Sequence, residues 1–593
     1  MRACSRQKAS PPAEGSQGKG EAAQQQQQLH FDLPLAVVLA GASFESYLQP
    51  QGGQGFQQRS VGGPTVTYTD KSFLTETYCG VLVLTLVSAN NLRPADPNGL
   101  SDPYATVSVA ACSFRSRTVA GSLDPVWEET HCMYIRDPAT DVVRLRLFDA
   151  DLVKSDDDLG LAMLGLGSLV GSGGEEQTFT LPLRGPGAGS GATVTVRARL
   201  LAFADADPED VAALTATTTT APSPPALAGL QAAAAAVAAV PQQLEAALGA
   251  VVPGQEQAQE AAAATTSTVQ LPGGETVANP WRVLATMAGR AAGGAGEALT
   301  PVAFVENEET DTQVWVYRNV EAREAVIAFR GTEQVKWKDI ATDLNLTPAS
   351  LNPERLDDNA GLPFTARIFK AVSGANQNQL MVHKGFLDAY DSVKRAVFTL
   401  LDAVTGSGER GGPWRVLVTG HSLGGALATL AAYELAERRC PARTVQQISL
   451  YTYGAPRVGN KAFAEAFDRV VPDTWRVTNA NDIIPSVPRL MGYCHVGHAV
   501  RLGADGQLRV GRSSAESTDV FGEGKAGVEV IQEIVSQVSE QSRPWDEVYS
   551  EIAEREKVLL DALVGGKGLE EHMETFYLAS LQQAVQAAAE ARR

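Results

Sequence analysis

Cysteine is sparse in this 593-residue chain: Cys4, Cys79, Cys112, Cys132, Cys440 and Cys494 are the only six, and none forms a C-x-x-C pair. That spacing excludes a disulfide scaffold, a zinc ribbon and a dithiol redox motif, and leaves free thiols in a reducing compartment. Long apolar runs are missing too. Leu33–Ala42 and Ala232–Val240 are the longest, well short of the roughly 18 residues that span a bilayer. Positive charge is in deficit: 49 Lys plus Arg stand against 68 Asp plus Glu, for a net charge of −19 and a pI near 4.9. No nucleic-acid partner is expected of so acidic a chain, and unaided attraction to anionic lipid is weak. Hydrophobic residues, at 44 %, suffice for ordinary packed cores.

What is present divides the chain. Residues 1–77 read as a polar leader and connecting segment. Its first dozen residues, with Arg2, Arg6 and Lys8 and no acid, are compatible with an organellar transit peptide and equally with a polar tail. Residues 78–203 hold short β-prone runs separated by turn residues, the pattern of an all-β sandwich. Residues 204–298 turn Ala-, Thr- and Pro-rich, with Pro222, Pro224, Pro225, Pro241 and Pro253 breaking any helix, and read as a linker. Residues 299–593 alternate strands with helices: Ala325–Phe329, Arg415–Thr419, Ser449–Tyr453 and Thr474–Thr478 as strands, Leu387–Val404, Leu423–Arg438 and Lys461–Val470 as helices. Such alternation implies βαβ units and a mostly parallel central sheet.

The segment Gly420-His421-Ser422-Leu423-Gly424 fits G-x-S-x-G, directly after an apolar strand and before a helix. In that context the serine rides a strained strand-to-helix turn, and the helix N-terminus offers free N–H groups to a developing oxyanion. A serine needs a base held by an acid, and in this arrangement the chain order is serine, acid, histidine. Asp482, after the strand Thr474–Thr478, is the expected acid; Asp468 and Asp473 are rivals on the preceding helix and turn. His572, opening the final helix, is the expected base, with His495 and His498 as alternatives at the entry to a hairpin, Ala499–Val510. His383 and His421 read as packing or hydrogen-bonding residues. The expected oxyanion donors are the backbone N–H groups of Leu423 and Thr332, the latter on the loop that follows the strand Ala325–Phe329.

The sandwich carries a second constellation. Asp96 and Asp102 flank one loop, and Asp149, Asp151 and Asp157 flank another, with Asp156 and Asp158 as further, solvent-facing acids. Five carboxylates meeting at one loop end repel each other without a cation, and hard oxygen ligands in flexible loops suit Ca²⁺.

Together the pieces Phe329-Arg-Gly-Thr332, Val382-His-Lys-Gly-Phe386, Val418 to Leu427, Thr452-Tyr-Gly-Ala-Pro-Arg-Val458, Asn481-Asp-Ile-Ile-Pro485 and His572 resemble the class 3 lipases, the fungal-lipase-like branch of the α/β-hydrolases. The resemblance implies Ser422, Asp482 and His572 as triad, Thr332 and Leu423 as oxyanion donors, and a lid within Glu333–Leu346 carrying Trp337. The stretch between His498 and His572, with the acidic Ser513–Gly524, looks like an insertion. Residues 78–203 resemble a C2 domain, through Ser101-Asp-Pro-Tyr104, Ser122 to Glu128 and the Asp-x-Asp run before Leu159-Gly160. The combined expectation is a serine acyl hydrolase of glycerolipid esters, with no cofactor for catalysis. Ca²⁺ in the C2 loops would recruit it to a membrane or lipid-droplet surface, as an intracellular, peripheral protein of cytoplasm or plastid. A non-catalytic C2 recruitment protein and a soluble small-ester or feruloyl esterase are the rival readings.

Overall fold

The computed structural model describes residues 30–50, 56–58, 63–109, 112–150, 156–204, 269–270, 276–277, 280–292, 299–331, 348–351, 379–406, 413–438, 445–488, 493–503, 506–511 and 567–592. The chain enters on helix α1 (Leu33–Glu45), capped by Asp32, whose carboxylate accepts from the Leu35 N–H at 3.0 Å. Eight residues of α1 are buried, so its apolar character all round marks a helix enclosed by protein. Strands β1 (Phe56–Gln58) and β2 (Thr65–Tyr68) and helix α2 (Lys71–Thr77) follow.

The next unit is a β-sandwich of two four-stranded antiparallel sheets. Its strands are β3 (Gly80–Asn90), β4 (Pro103–Val109), β5 (Cys112–Arg115), β6 (Val126–Ile135), β7 (Val142–Asp149), β8 (Asp157–Gly165), β9 (Gln177–Pro182) and β10 (Thr193–Ala202). One sheet runs β6-β3-β10-β9 and the other β5-β4-β7-β8. Burial alternates along β7 and β10, which turns Leu145, Leu147, Val194 and Val196 into the shared core.

Beyond the sandwich come a two-stranded ladder, β11 (Val269–Gln270) with β12 (Thr276–Val277), and helix α3 (Pro280–Ala292). Strands β13 (Thr300–Asn307), β14 (Thr312–Asn319), β15 (Glu324–Phe329), β16 (Pro348–Ser350) and β17 (Met381–His383) lead to helix α4 (Lys384–Gly406). Then β18 (Trp414–His421), helix α5 (Leu423–Arg438), β19 (Val445–Tyr453), β20 (Gly459–Asn460), helix α6 (Lys461–Val470) and β21 (Thr474–Asn479) complete the βαβ core. The described chain closes with β22 (Tyr493–Cys494), β23 (His498–Leu502), β24 (Leu508–Val510) and helices α7 (Lys567–Glu570) and α8 (Glu574–Glu590).

The main sheet has ten strands in the order β1-β2-β13-β14-β15-β18-β19-β21-β23-β24. The stretch β15-β18-β19-β21-β23 is parallel, as the βαβ pattern requires. Both flanks are antiparallel, so the sheet as a whole is mixed. Strand β2 pairs directly with β13, Ala303 opposite Tyr68. In the chain, the sandwich is therefore inserted between two neighbouring strands of the main sheet. This redraws two boundaries of the sequence reading. Of the leader 1–77, α1, β1 and β2 belong with the main sheet. Of the linker 204–298, α3 does, burying Trp281, Leu284 and Ala288 in the same core as α1. Short antiparallel edge strands and an Ala-rich helix leave little periodicity to read, and only their tertiary partners identify them.

Helix α2 joins the two units. Arg318 on β14, 7 % exposed, pairs with Asp70 at 3.0 Å and Glu76 at 2.7 Å. The hydroxyls of Tyr68 and Tyr78 lie 2.6 Å apart, and both rings meet Tyr134 of β6 at 5.5 and 5.4 Å. These tyrosines share one continuous core with Val302, Ala303 and Val305 of β13. The joint is at the Gly80 end of β3. The acidic loops follow its Asn90 end, the far end of an eleven-residue strand, about 33 Å away at the usual rise of ~3.3 Å per residue.

Candidate active site

Strand β18 is buried from Val416 to His421 and passes straight into α5. Ser422 sits between them with φ of 58°, a left-handed conformation rarely adopted by a residue bearing a Cβ. The turn is held by the Ser422 N–H donating to Tyr453 O and the Gly425 N–H donating to Ser422 O, both at 2.9 Å. It also needs Gly424: a Cβ there would lie 2.2 Å from Phe329 O at the end of β15. The Ser422 side chain is buried, and its Oγ makes no hydrogen bond among the described residues.

Asp482 follows β21, 6 % exposed, and three donors converge on it. His572 Nδ1 lies 2.9 and 3.0 Å from its two oxygens, the Tyr577 hydroxyl donates at 2.6 Å, and the Ile484 N–H donates at 3.0 Å. His572 stands between α7 and α8 and is fully buried. Its loop is tied to the Asp482 loop by neighbours. Asn479 Nδ2 donates to Glu571 O at 2.7 Å, and the Asn481 N–H and Nδ2 donate to the Glu571 carboxylate at 2.9 and 2.6 Å. Gly454, at φ +58°, closes against the pair; a Cβ there would meet Asp482 Oδ2 at 2.6 Å and His572 Nδ1 at 2.8 Å.

The serine and the histidine come together through His421. Its ring lies 4.4 Å from the His572 ring, and its Nε2 is 2.9 Å from His572 O. On the other side, a Cβ built on Gly331 would be 3.2 Å from Ser422 Cβ, so the end of β15 abuts the nucleophile. The Leu423 N–H begins α5 at the same point. Thr332, the other expected donor, and Trp337 of the expected lid lie outside the described residues, as does Ser513–Gly524.

The rival residues have other work. His495 Nε2 is 2.8 Å from Pro485 O, and burial first, then Arg476 and Arg457, push its pKa well down, so it stays neutral and braces the loop after Asp482. His498 lies on β23, its ring tilted against Trp475 at 4.9 Å. Asp473 accepts from Ser449 Oγ at 2.5 Å and Trp475 Nε1 at 2.7 Å, and Asp468 accepts from the Gly497 N–H at 2.7 Å. Tyr577, Asn479 and Glu571 were not singled out by sequence. No motif marks them, although Tyr577 shares the final helix with His572's loop.

Burial also leaves a pH signature. His383, buried on β17, has its pKa pushed down to about 4 by desolvation, against about 6.5 in an unfolded chain. The unfolded state binds the extra proton between those values, so stability is fully present above pH 6.5 and falls as pH drops towards 4. The expected loss from this group is ~3 kcal/mol. Urea unfolding at pH 7 and pH 4.5 should show it, with a shallower fall in His383→Gln; equal slopes in the two proteins would refute this.

At the acidic loops, the β7–β8 register sets Asp149 opposite Asp157, and the Asp102 N–H donates to Asp149 Oδ1 at 2.5 Å. Asp102, Asp149 and Asp157 thus share one end of the sandwich, with Asp96 on the adjoining loop. Asp149 is fully buried. Asp151 lies outside the described residues, and among those described no three His, Cys, Asp or Glu side chains gather as a metal cluster. The two further acids are engaged rather than simply solvated: Asp156 accepts from the Tyr104 hydroxyl at 2.6 Å, and Asp158 pairs with Arg146 at 2.7 Å.

Comparison with known proteins agrees with this division. Residues 80–181 match the C2 domain and residues 326–491 match the lipase (class 3) family. The lipase of Rhizomucor miehei is 34 % identical over 190 residues, covering 32 % of this chain and 44 % of that protein. Secreted mono- and diacylglycerol lipase 1 of Fusarium solani is 39 % identical over 115 residues, covering 19 % of this chain and 32 % of its own. The chloroplastic phospholipase A1-Igamma2 of Arabidopsis thaliana is 31 % identical over 201 residues, covering 31 % and 34 %. The chain spans less than half the length of each of these relatives.

Proposed function

We propose that this chain, a C2 domain combined with a class 3 lipase domain, is a serine carboxylic-ester hydrolase that cleaves glycerolipid esters at a membrane or lipid-droplet surface. The observation that carries the reading is the buried Asp482–His572 pair packed against His421, the residue that precedes Ser422 on its strained turn.

In the proposed reaction Ser422 Oγ attacks the ester carbonyl carbon while His572 Nε2 takes its proton. The Nδ1–H of His572 donates to Asp482, which sets the tautomer that leaves Nε2 as acceptor and stabilises the imidazolium. The carbonyl oxygen becomes an oxyanion, held by the N–H groups of Leu423 and Thr332, each worth about 3 kcal/mol in such sites. The tetrahedral intermediate collapses, the C–O bond to the alcohol breaks, and His572 returns the proton to that alcohol. Water, deprotonated by His572, then attacks the acyl-enzyme and releases the fatty acid. None of these steps calls for a cofactor.

Recruitment is assigned to the other end of the molecule. Asp96, Asp102, Asp149, Asp151 and Asp157 would hold Ca²⁺, and the gathering of three of them at one sandwich end supports that set. Ca²⁺ held there would offset the carboxylate charge and supply coordination for lipid phosphate. The acidic composition makes unaided contact with anionic lipid weak. Among the described residues no helix is long and apolar enough to cross a membrane. The relatives named for mono- and diacylglycerol and for phospholipid span the head groups worth testing.

The test is a panel of emulsified triacylglycerol, diacylglycerol, phospholipid and galactolipid, each with Ca²⁺ and with a chelator, alongside vesicle sedimentation. Fatty-acid release from glycerolipids is expected, and the chelator should reduce vesicle binding at least tenfold. Hydrolysis and binding that ignore the chelator would reject the calcium part. Turnover of short soluble esters alone would favour a soluble esterase, and vesicle binding without any turnover would favour a recruitment module.

A further inference from the structure

We propose that Tyr47, from the segment upstream of the C2 domain, is a positioning residue that holds the catalytic histidine through His421; this rests on the hydrolase reading above. Tyr47 follows α1, and its hydroxyl lies 2.9 Å from His421 Nδ1. His421 Nε2 lies 2.9 Å from the carbonyl oxygen of His572. A carbonyl oxygen only accepts, so Nε2 of His421 carries the hydrogen. Burial, then the neighbouring His572, drive the His421 pKa well below its ordinary value, so the ring is neutral. A neutral imidazole with its proton on Nε2 has Nδ1 as an acceptor. The Tyr47 hydroxyl is therefore the donor that selects this tautomer.

The alternative tautomer would leave His421 without a donor for the His572 carbonyl. The same hydroxyl lies against Gly331, where a Cβ would come within 2.2 Å of it. One phenol thus touches the end of the oxyanion strand and the residue before the nucleophile, and reaches the base through one ring. Its own pKa is raised by burial, which keeps it a donor at all working pH values.

The surroundings hold Tyr47 in place. Phe44 stacks on Trp281 of α3 at 5.1 Å and 9°, and lies tilted against His421 at 4.7 Å. Trp281 Nε1 donates to Glu574 of α8 at 2.8 Å, and Thr419 Oγ1 of β18 donates to Leu39 O at 3.3 Å. Helices on both sides of the inserted sandwich in the chain thus grip the strand behind the nucleophile and the helix behind the base.

The experiment uses the full chain, a soluble short-chain p-nitrophenyl ester, and Ser422→Ala as control. Tyr47→Phe keeps the ring and removes only the hydroxyl. It should lower kcat about five- to tenfold with KM unchanged, the scale of one lost hydrogen bond. His421→Phe should lose at least as much. His421→Gln, whose amide can accept from Tyr47 and donate to His572 O, should recover most of it. In the His421→Phe background, Tyr47→Phe should cost nothing further, since the path is already broken. Wild-type kcat in Tyr47→Phe, a loss confined to KM, or additive losses in the double variant would overturn the proposal while leaving the hydrolase reading intact. Undiminished turnover in Ser422→Ala would overturn the hydrolase reading, and this proposal with it.

Discussion

Replacing Ser422 with alanine is expected to lower kcat for ester hydrolysis by about 10⁶-fold, the scale seen when a serine triad loses its nucleophile. The remaining site would still hold an ester and stabilise charge, but without an oxygen to form the acyl-enzyme it could only assist water. The fold should survive. The Ser422 Oγ makes no hydrogen bond among the described residues, and alanine carries the same Cβ that serine already places at positive φ. Unfolding midpoint and calcium-dependent vesicle binding should therefore match the parent protein, while fatty-acid release disappears. A variant that releases fatty acid at the parent rate would place the chemistry elsewhere.

The second large effect concerns the acid. Asp482→Asn should lower kcat about 10⁴-fold with KM little changed. The carboxylate receives three donors: His572 Nδ1–H, the Tyr577 hydroxyl and the Ile484 N–H. An amide has one oxygen to offer and presents N–H groups on the other side. Where that N–H faces His572 it favours the opposite tautomer, with the proton on Nε2, and the base can no longer accept from serine. The rival acids supply the control. Asp473→Asn should alter stability, because Asp473 binds Ser449 and Trp475, yet keep kcat within about threefold, as expected of a group outside the chemistry. A collapse of kcat in Asp473→Asn and not in Asp482→Asn would reverse the assignment.

Much of this site was legible because it is written locally. The nucleophile turn is a contiguous stretch whose glycines permit close approach, and its flanking strand and helix have strong periodicity. The helices expected over Leu423–Arg438 and Lys461–Val470 are those observed, and the hairpin expected after His498 is the β23–β24 pair. The expectation of His572 over His495 rested on topology, a base coming from a loop after the last strand rather than from the entry to a hairpin. Geometry supplies the reason: Asp482 meets His572 directly, while His495 spends its ring nitrogen on Pro485 O.

Other features had no local signal. Leu33–Ala42 reads as an apolar run too short for a membrane. What it becomes depends on surfaces hundreds of residues away: Thr419, Tyr453 and Trp281 all meet α1. The placement of the C2 domain was likewise hidden, because order along the chain cannot distinguish a domain in front of a fold from one inserted between two paired strands. Tyr577 and Tyr47 stand in no motif.

By itself the sequence pointed to the two domain types and named Ser422, Asp482, His572 and the carboxylate loops as the residues to examine. Each depends on residue chemistry at short spacing or on a periodicity that one segment carries alone. Only the tertiary structure decided that α1, β2 and α3 belong with the main sheet and that the acidic loops lie away from the joint. Only it brought Tyr47 and Phe44, from the far side of the inserted domain, against His421. Those outcomes arise from pairings across long stretches of chain, where burial of complementary faces selects the partner and no local pattern can.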